Sequence, residues 1–201
     1  DERMDFSEKH MRNTHGFDWG PSEGGTRTVS SAYLARRSGP VLEKDDPYDI
    51  FNGNSPEDLP VAKELTRAYF LPDKRDATDN DVLKRMIMEN GGIYSAVMGG
   101  DDYLNKKTMA HYYNGGQAPN HAITIVGWDD DYSRKNFKTT PQGDGAWICK
   151  NSWGTNWGTQ GGYYYVSYYD KNIGTQNSQY ILKDLNPNEK IWQYDKLGMT
   201  S

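Results

Sequence analysis

The sequence predicts an α+β fold, with helices concentrated in its first part and strands in its second part. Residues 28–37 and 79–90 carry apolar side chains at the spacing of an amphipathic helix. From residue 122 onward, short apolar segments and segments of alternating polarity are typical of β-strands. The 21 glycines and 9 prolines indicate the many turns of a β-rich fold with long loops.

The predicted helices carry start or stop signals. Ser7 is placed to cap a first short helix, and Asp79 is the candidate cap of the helix at residues 79–90. Gly39-Pro40 ends the second helix, because proline cannot continue it. Gly91 follows the third helix, where a glycine commonly terminates the last turn.

The predicted strands follow one another in the second part of the chain. They cover residues 93–98, 122–126, 146–150 and 162–168, with a further candidate at 190–194. Residues 106–113 fit either a short helix or a loop. The tyrosines between residues 163 and 169 are expected to build sheet core rather than a carbohydrate-binding platform.

The chain is expected to have two halves followed by a short tail. Residues 50–62 are polar and contain Gly53, Pro56 and Pro60, which predicts a surface crossing between the halves. We therefore divide the sequence into residues 1–61, residues 62–180 and residues 181–201. The last segment is predicted to be a C-terminal extension or a lead-in to a further domain.

Composition excludes several classes of function. The net charge of −5 argues against nucleic acid or an anionic membrane as the main partner. The sequence has no run of the roughly 20 apolar residues that a membrane span needs, and no secretory signal opens it. Asp129-Asp130-Asp131 lacks the spaced ligands of a calcium loop, so we predict a solvated hairpin there and neither a metal nor a cofactor.

Two polar residues at strand ends are the candidates for chemistry. His121 opens one apolar strand and Asn151 directly follows another, so they can meet as a general base and its orienting partner. Trp153 and Trp157 can cover that pair and keep water away from it. The alternative is that Asn151-Ser152-Trp153-Gly154 is only a turn. The three remaining histidines are expected to be structural: His10, His15 and His111.

Cys149 is the only cysteine, so no internal disulfide can form. It lies two residues before Asn151 on the same strand, which puts both on one face. We predict a buried structural thiol rather than a substitute nucleophile, because free cysteines are commonly buried and inert.

The flanks of this pair carry a family resemblance. The segments that carry it are Asn120-His121-Ala122, Lys150-Asn151-Ser152-Trp153-Gly154-Thr155-Asn156-Trp157-Gly158, Gly161-Gly162-Tyr163, and upstream Gly24-Gly25. Together they resemble, in order from about residue 5 to about residue 170, the signatures of papain-family cysteine peptidases. The branch is similar to clostridial cell-wall peptidases, which implies a secreted or cell-surface bacterial protein.

The resemblance implies a two-lobed papain-like fold. Residues 1–61 would be the remainder of a helical left lobe, and residues 62–180 a β-barrel-like right lobe. It implies a polypeptide substrate and these roles: His121 as acid and base, Asn151 as its orienter, Trp153 and Trp157 as catalytic support, and Gly24, Gly25, Ala96, Asn120 and Ala122 as substrate-binding residues. Within that set, the backbone of Gly25 and the carbonyl of Asn120 would bind an extended peptide.

The nucleophile of this family is a cysteine at the start of a helix. On the family pattern that cysteine and its oxyanion-hole glutamine precede Asp1, so residues 1–201 are expected to be N-terminally truncated, poorly stable and inactive alone. The missing segment or a pro-segment is then a further expected partner. The alternatives are an inactive pseudo-peptidase that only binds peptides, and a surface adhesion or cell-wall protein that uses the fold as a scaffold.

Overall fold

A computed structural model describes residues 4–20, 23–49, 51, 53–56, 58–186 and 188. The chain forms two compact units, one of Asp1–Ala68 with Tyr180–Ser201 and one of Tyr69–Gln179. The division therefore falls later than the predicted one at residue 61. The strand candidate at residues 190–194 lies outside the described residues.

The first unit carries two helices, α1 (Glu8–Thr14) and α2 (Arg27–Ala35). Helix α1 was expected from the cap at Ser7, and α2 from its apolar spacing. The predicted cap is present, because the Ser7 hydroxyl oxygen accepts the His10 backbone N–H at 2.9 Å. The same hydroxyl donates to the carbonyl of Asp46 at 2.6 Å, which joins the start of α1 to the later turn.

Strand β1 (Glu64–Phe70) begins in the first unit and is followed by helix α3 (Asp81–Asn90). The predicted cap of α3 is wrong. Asn80 precedes its first turn without a side-chain cap, and the Asp79 carboxylate instead accepts the Arg75 Nε–H at 2.9 Å. The helix ends where expected, since Gly91 adopts a φ of 89°.

The remaining strands form most of the sheet. They are β2 (Ile93–Val97), β3 (Leu104–Asn105), β4 (Ala110–His111), β5 (His121–Asp129), β6 (Ala146–Lys150), β7 (Tyr163–Ser167) and β8 (Ser178–Lys183), with 3₁₀ turns at Asp101–Tyr103 and Arg134–Asn136. In the second unit their order is β8, β2, β5, β6, β7, β4 and β3. The segment 106–113 thus supplies a short strand, β4, which pairs in parallel with β7.

Residues 181–183 belong to a regular strand. They continue β8, whose later part lies in the first unit beside β1, where the Thr66 hydroxyl donates to the Ile181 carbonyl at 2.8 Å. This pairing joins residues more than a hundred positions apart, so no local pattern in the sequence predicts it.

Antiparallel pairing brings the two candidate residues to one end of the sheet. In β2 and β5, Val97 pairs with His121, and in β5 and β6, Thr124 pairs with Lys150. The start of β5 therefore lies beside the end of β6, because neighbouring antiparallel strands run in opposite directions. The residue after Lys150 is Asn151.

The core of the second unit lies under the middle of this sheet. Its centre is fully buried and includes Ile93, Ile125, Trp147, Cys149 and Val166. The tyrosines alternate as predicted, since Tyr164 and Tyr168 are buried in this core whereas Tyr163 is 38% exposed.

The three consecutive aspartates close the turn after β5. Asp129 accepts the backbone N–H of Asp131 at 3.0 Å, and Asp130 accepts the Lys84 ammonium at 2.5 Å and the Tyr168 hydroxyl at 2.8 Å. In the part of the chain that the structure describes, no group of three His, Cys, Asp or Glu side chains could hold a metal ion. Among these same residues, no helix is long and apolar enough to cross a bilayer.

Candidate active site

His121 and Asn151 form a direct hydrogen bond. Nε2 of His121 lies 3.0 Å from Oδ1 of Asn151, and Asn151 is only 5% exposed. The same Oδ1 accepts the backbone N–H of Ser152 at 2.8 Å, which turns the amide oxygen toward the ring. Because a carbonyl oxygen can only accept, Nε2 must carry the proton. The other ring nitrogen, Nδ1, is thereby left to take up or release a proton.

The loop after β6 fixes Asn151 in place. Its backbone N–H donates to the Gly162 carbonyl at 3.0 Å, and the loop between them closes through Gly162 N–H to the Trp157 carbonyl at 3.2 Å. Gly162 has a φ of 89°, and a Cβ there would come within 2.7 Å of the Gly154 carbonyl oxygen. Only glycine fits this position.

Two indoles flank the hydrogen bond. Trp153 packs on His121 with ring centroids 5.0 Å apart and planes inclined by 34°. Trp157 meets Trp153 edge to face at 5.4 Å and meets Tyr164 at 5.3 Å. Trp153 itself is 56% exposed, so it covers one side of the imidazole while its own outer face remains in contact with solvent.

Asn120 places the start of β5 through its side chain, which the sequence did not predict. Its Oδ1 accepts the Gly99 N–H at 2.7 Å, and its Nδ2 donates to the Gly99 carbonyl at 3.4 Å. A Cβ on Gly99 would lie 3.0 Å from the His121 Cβ, so glycine lets this loop pass close to the histidine. We call this pair of hydrogen bonds between Asn120 and Gly99 the Asn120–Gly99 clamp.

The other predicted site residues lie in different surroundings. Ala96 and Ala122 pair across β2 and β5, next to the His121 pair, and Ala96 is 3% exposed. Gly24 and Gly25 belong to the first unit, where both are exposed and a Cβ on either would meet no atom within 4 Å.

A cavity of about 80 Å³ opens beside His121 and Asn151. Its lining includes Trp153, Trp157 and Tyr164, and a second histidine, His111. From the sequence, His111 is expected to be an ordinary structural residue. The available signal was its position between a short apolar strand segment and two tyrosines, which marks burial but not proximity to His121.

Cys149 is sealed in the core, as predicted. It is fully buried, it pairs with Ile125 and Tyr164 across the sheet, and burial raises the pKa of its thiol well above the ordinary value. A thiol acts as a nucleophile only as the thiolate. Cys149 is therefore not a nucleophile that His121 could activate.

We expect Cys149 to resist alkylation in the folded protein. Its burial and the raised pKa of its thiol both suppress reaction with iodoacetamide at pH 7.5, whereas unfolding in guanidinium exposes it fully. Intact-mass measurements over time check this. Rapid stoichiometric labelling of Cys149 under native conditions would refute the structural assignment.

A larger cavity of about 450 Å³ lies elsewhere in the second unit, where Lys74 is partly buried. Its ammonium lies 5.4 Å from the Trp147 ring centroid and donates to the Tyr168 carbonyl at 3.1 Å. Burial lowers the pKa of Lys74 from 10.5 to about 8, although nearby carboxylates, chiefly that of Asp170, oppose this effect.

The lowered pKa of Lys74 predicts a pH-dependent stability. Between about pH 8 and 10.5 the unfolded chain binds more protons at this lysine than the folded protein does, so its contribution to stability rises with pH. Below pH 8 the cost of the buried charge is fully present. Urea unfolding of the wild type and Lys74→Met should show their stability difference moving in favour of the wild type by up to about 1.4 kcal/mol per pH unit. A difference independent of pH would contradict the shift.

Sequence comparisons identify relatives of this chain. The model of a family described as papain family cysteine protease matches residues 1–182. A viral cathepsin of Cydia pomonella granulosis virus is 28% identical over 183 residues, which cover 90% of this chain and 49% of that protein. A cysteine protease of Blomia tropicalis is 29% identical over 157 residues, covering 76% of this chain and 43% of that protein. The chain spans about half the length of these curated relatives.

Solved structures agree with the predicted α+β papain-like fold. The clostridial cysteine protease Cwp84 after propeptide cleavage is 30% identical with a TM-score of 0.84, over 96% of this chain and 50% of that one. Bromelain from Ananas comosus, 20% identical with a TM-score of 0.66 over 90% of this chain and 80% of that one, shows likeness of fold alone. Because the family model matches most of the sequence, the chain belongs to the papain family of cysteine proteases.

Proposed function

We propose that the protein is a cysteine endopeptidase in which His121 is the general acid and base and Asn151 orients it. The observation that carries this proposal is the bond from Nε2–H of His121 to Oδ1 of Asn151, which leaves Nδ1 as the reacting nitrogen. Trp153 supports the pair by covering one side of the ring, and Trp157 supports Trp153. A hydrogen bond protected from water is stronger than an exposed one.

The reaction follows from these positions. Nδ1 of His121 takes the proton of a cysteine thiol, and the thiolate attacks the peptide carbonyl carbon. Nδ1 then returns the proton to the leaving amine, which breaks the C–N bond and leaves an acyl-thioester. A water molecule, deprotonated by Nδ1, hydrolyses the thioester and regenerates the thiol. In each step Asn151 holds the ring in one plane.

The attacking thiol is proposed to lie outside residues 1–201. Cys149 is the only cysteine of the sequence, and it is buried in the core with a thiol whose pKa is raised. Residues 1–201 alone are therefore expected to be inactive. The family resemblance supports a nucleophile in a segment that is not part of residues 1–201.

The substrate is proposed to be an extended polypeptide. The carbonyl of Asn120 would accept a substrate N–H, and Gly25, next to Gly24, would pair its backbone with the peptide. Ala96 and Ala122 would line the pocket for the second side chain before the cut. Small residues there leave room for a sizeable apolar group.

A secreted or cell-surface bacterial location is also proposed. Its support is the likeness to Cwp84, which is described as a surface layer associated protein of Clostridium difficile with cysteine protease and lectin-like domains. Fractionation of the producing cell, with the protein followed by an antibody, should place it in the surface or medium fraction.

Hydrolysis of an unfolded polypeptide tests the proposed activity. The full-length protein is incubated with reduced, denatured casein, and new peptide termini are identified by mass spectrometry. We expect cleavage at internal peptide bonds that a thiol reagent abolishes. Peptide binding without cleavage would favour the pseudo-peptidase alternative, and neither binding nor cleavage would favour the scaffold alternative.

A further inference from the structure

A second histidine forms part of the cavity beside His121. His111 lies in β4, is 3% exposed and lines the same cavity as His121, Asn151 and Trp157. Its ring meets the edge of Tyr164 at 6.3 Å, and Tyr164 in turn meets Trp157 at 5.3 Å. His111 therefore packs into the aromatic group that also covers the His121–Asn151 bond.

Both ring nitrogens of His111 face oxygen atoms. Nε2 lies 2.9 Å from the Met98 carbonyl oxygen, and Nδ1 lies 3.3 Å from Oδ2 of Asp170. The Met98 carbonyl can only accept, so Nε2 donates to it. The His111 ring is therefore held between a backbone carbonyl and a buried carboxylate.

Asp170 is held rigidly as the partner of this ring. Its side chain is 0% exposed. Oδ2 accepts the Tyr113 N–H at 2.8 Å, and Oδ1 accepts the N–H groups of Asn172 and Ile173 at 3.0 Å each. Three backbone donors stabilise the ionised carboxylate and fix its position.

The carbonyl that His111 binds belongs to the segment that positions His121. Met98 directly precedes Gly99, which the Asn120–Gly99 clamp joins to the residue before His121. Gly99 also passes so close to His121 that a Cβ on it would lie 3.0 Å from the His121 Cβ. A displacement of Met98 would therefore reach His121 through Gly99 and Asn120.

We propose that His111, held by Asp170, is a positioning residue for His121 that acts by fixing the Met98 carbonyl and, through it, the Asn120–Gly99 clamp. In this role His111 acts through the backbone and not on the substrate. The consequence for catalysis rests on the proposed function, but the consequence for the His121 ring does not. The charged and titratable groups that face His111 are Asp170, the rings of Tyr103 and Tyr164, and Asp101 and His121 in the shared cavity.

Nuclear magnetic resonance of the histidine side chains tests this role. The full-length protein is labelled with ¹⁵N-histidine, and the His121 ring signals are identified by their loss in His121→Gln. His111→Phe keeps a ring but removes both polar contacts. His111→Gln is the conservative variant, because its amide N–H can still donate to the Met98 carbonyl.

Gln179 offers a matched control at the other end of β2. It is 1% exposed, and its amide donates to the carbonyls of Met86 and Gly91 at 3.1 Å and 2.8 Å. Gln179→Leu therefore removes a buried side chain that holds backbone carbonyls before β2, whereas the His111 variants act after it. Thermal unfolding of each variant measures the purely structural cost.

In His111→Phe we expect the chemical shifts of the His121 ring nitrogens to move, with altered tautomer signals. His111→Gln should restore most of the wild-type pattern, and Gln179→Leu should lower the melting temperature without moving these signals. Where casein is cleaved, kcat should fall about 10- to 100-fold in His111→Phe with little change in KM. Unchanged His121 signals in a folded His111→Phe would overturn the proposal. Absence of cleavage in the wild type, with shifted His121 signals, would refute only the proposed function.

Discussion

Replacing His121 with alanine is expected to lower kcat/KM for peptide hydrolysis about 10²- to 10⁴-fold, the range that a positioned general acid–base supplies. The bond to Asn151 occupies Nε2 and leaves Nδ1 as the ring nitrogen available for proton transfer. In the proposed reaction, its loss leaves the thiol without a base and the leaving amine without an acid. Steady-state kinetics of the full-length protein on a quenched fluorescent peptide measure the change.

Two further variants separate loss of chemistry from loss of structure. Asn151→Ala should cause a smaller fall in kcat, because the ring keeps its proton-transfer atom but loses its fixed plane. Lys150→Ala is the matched control, since Lys150 is exposed and directly precedes Asn151. It should behave as the wild type. An unimpaired His121→Ala would mean that another group carries out the proton transfers.

Replacing Trp147 with alanine is expected to lower the free energy of unfolding by about 3–5 kcal/mol, the usual cost of removing a large buried ring. Trp147 is 0% exposed, lies in β6 and pairs with Trp128 and Val166 on the neighbouring strands. The ring of Tyr168 packs on it at 5.0 Å. The neighbours cannot close the resulting cavity, because they belong to fixed strands on both sides. Urea unfolding monitored by circular dichroism measures the loss.

Trp147→Phe is the comparison for this variant. The indole Nε1 of Trp147 has no hydrogen-bond partner among the described residues, so phenylalanine sacrifices volume but no hydrogen bond. We expect a distinctly smaller loss than for alanine. Equal losses in the two variants would show that the indole N–H, rather than packing, determines the stability at this position.

Much of the sheet and the central pair of the site could be predicted from the sequence. The strand at residues 146–150 is observed at the predicted positions, because its apolar run is bounded by a glycine and by the polar Asn151. His121 and Asn151 meet because they lie at adjacent ends of antiparallel strands. Local sequence patterns predict the ends of a strand well when turn residues flank the strand.

Other features depend on contacts between distant residues. Residues 181–183 were assigned to a C-terminal segment, and the structure shows them in β8, whose partner strand β1 is more than a hundred residues away. Asp79 resembles a helix cap in sequence, but Arg75 binds its carboxylate instead. The proposed role of His111 depends on its contacts with Met98 and Asp170, which lie far from it in the sequence.

Labelling by an epoxide inhibitor of thiol peptidases measures whether His121 activates a cysteine thiol. The full-length wild type, His121→Ala and Lys150→Ala are incubated with the epoxide, and the modified cysteine is identified by peptide mass spectrometry. We predict one label per molecule on a cysteine outside residues 1–201, formed at similar rates in the wild type and Lys150→Ala and lost or greatly slowed in His121→Ala. Labelling of Cys149, or equal labelling rates with and without His121, would contradict it.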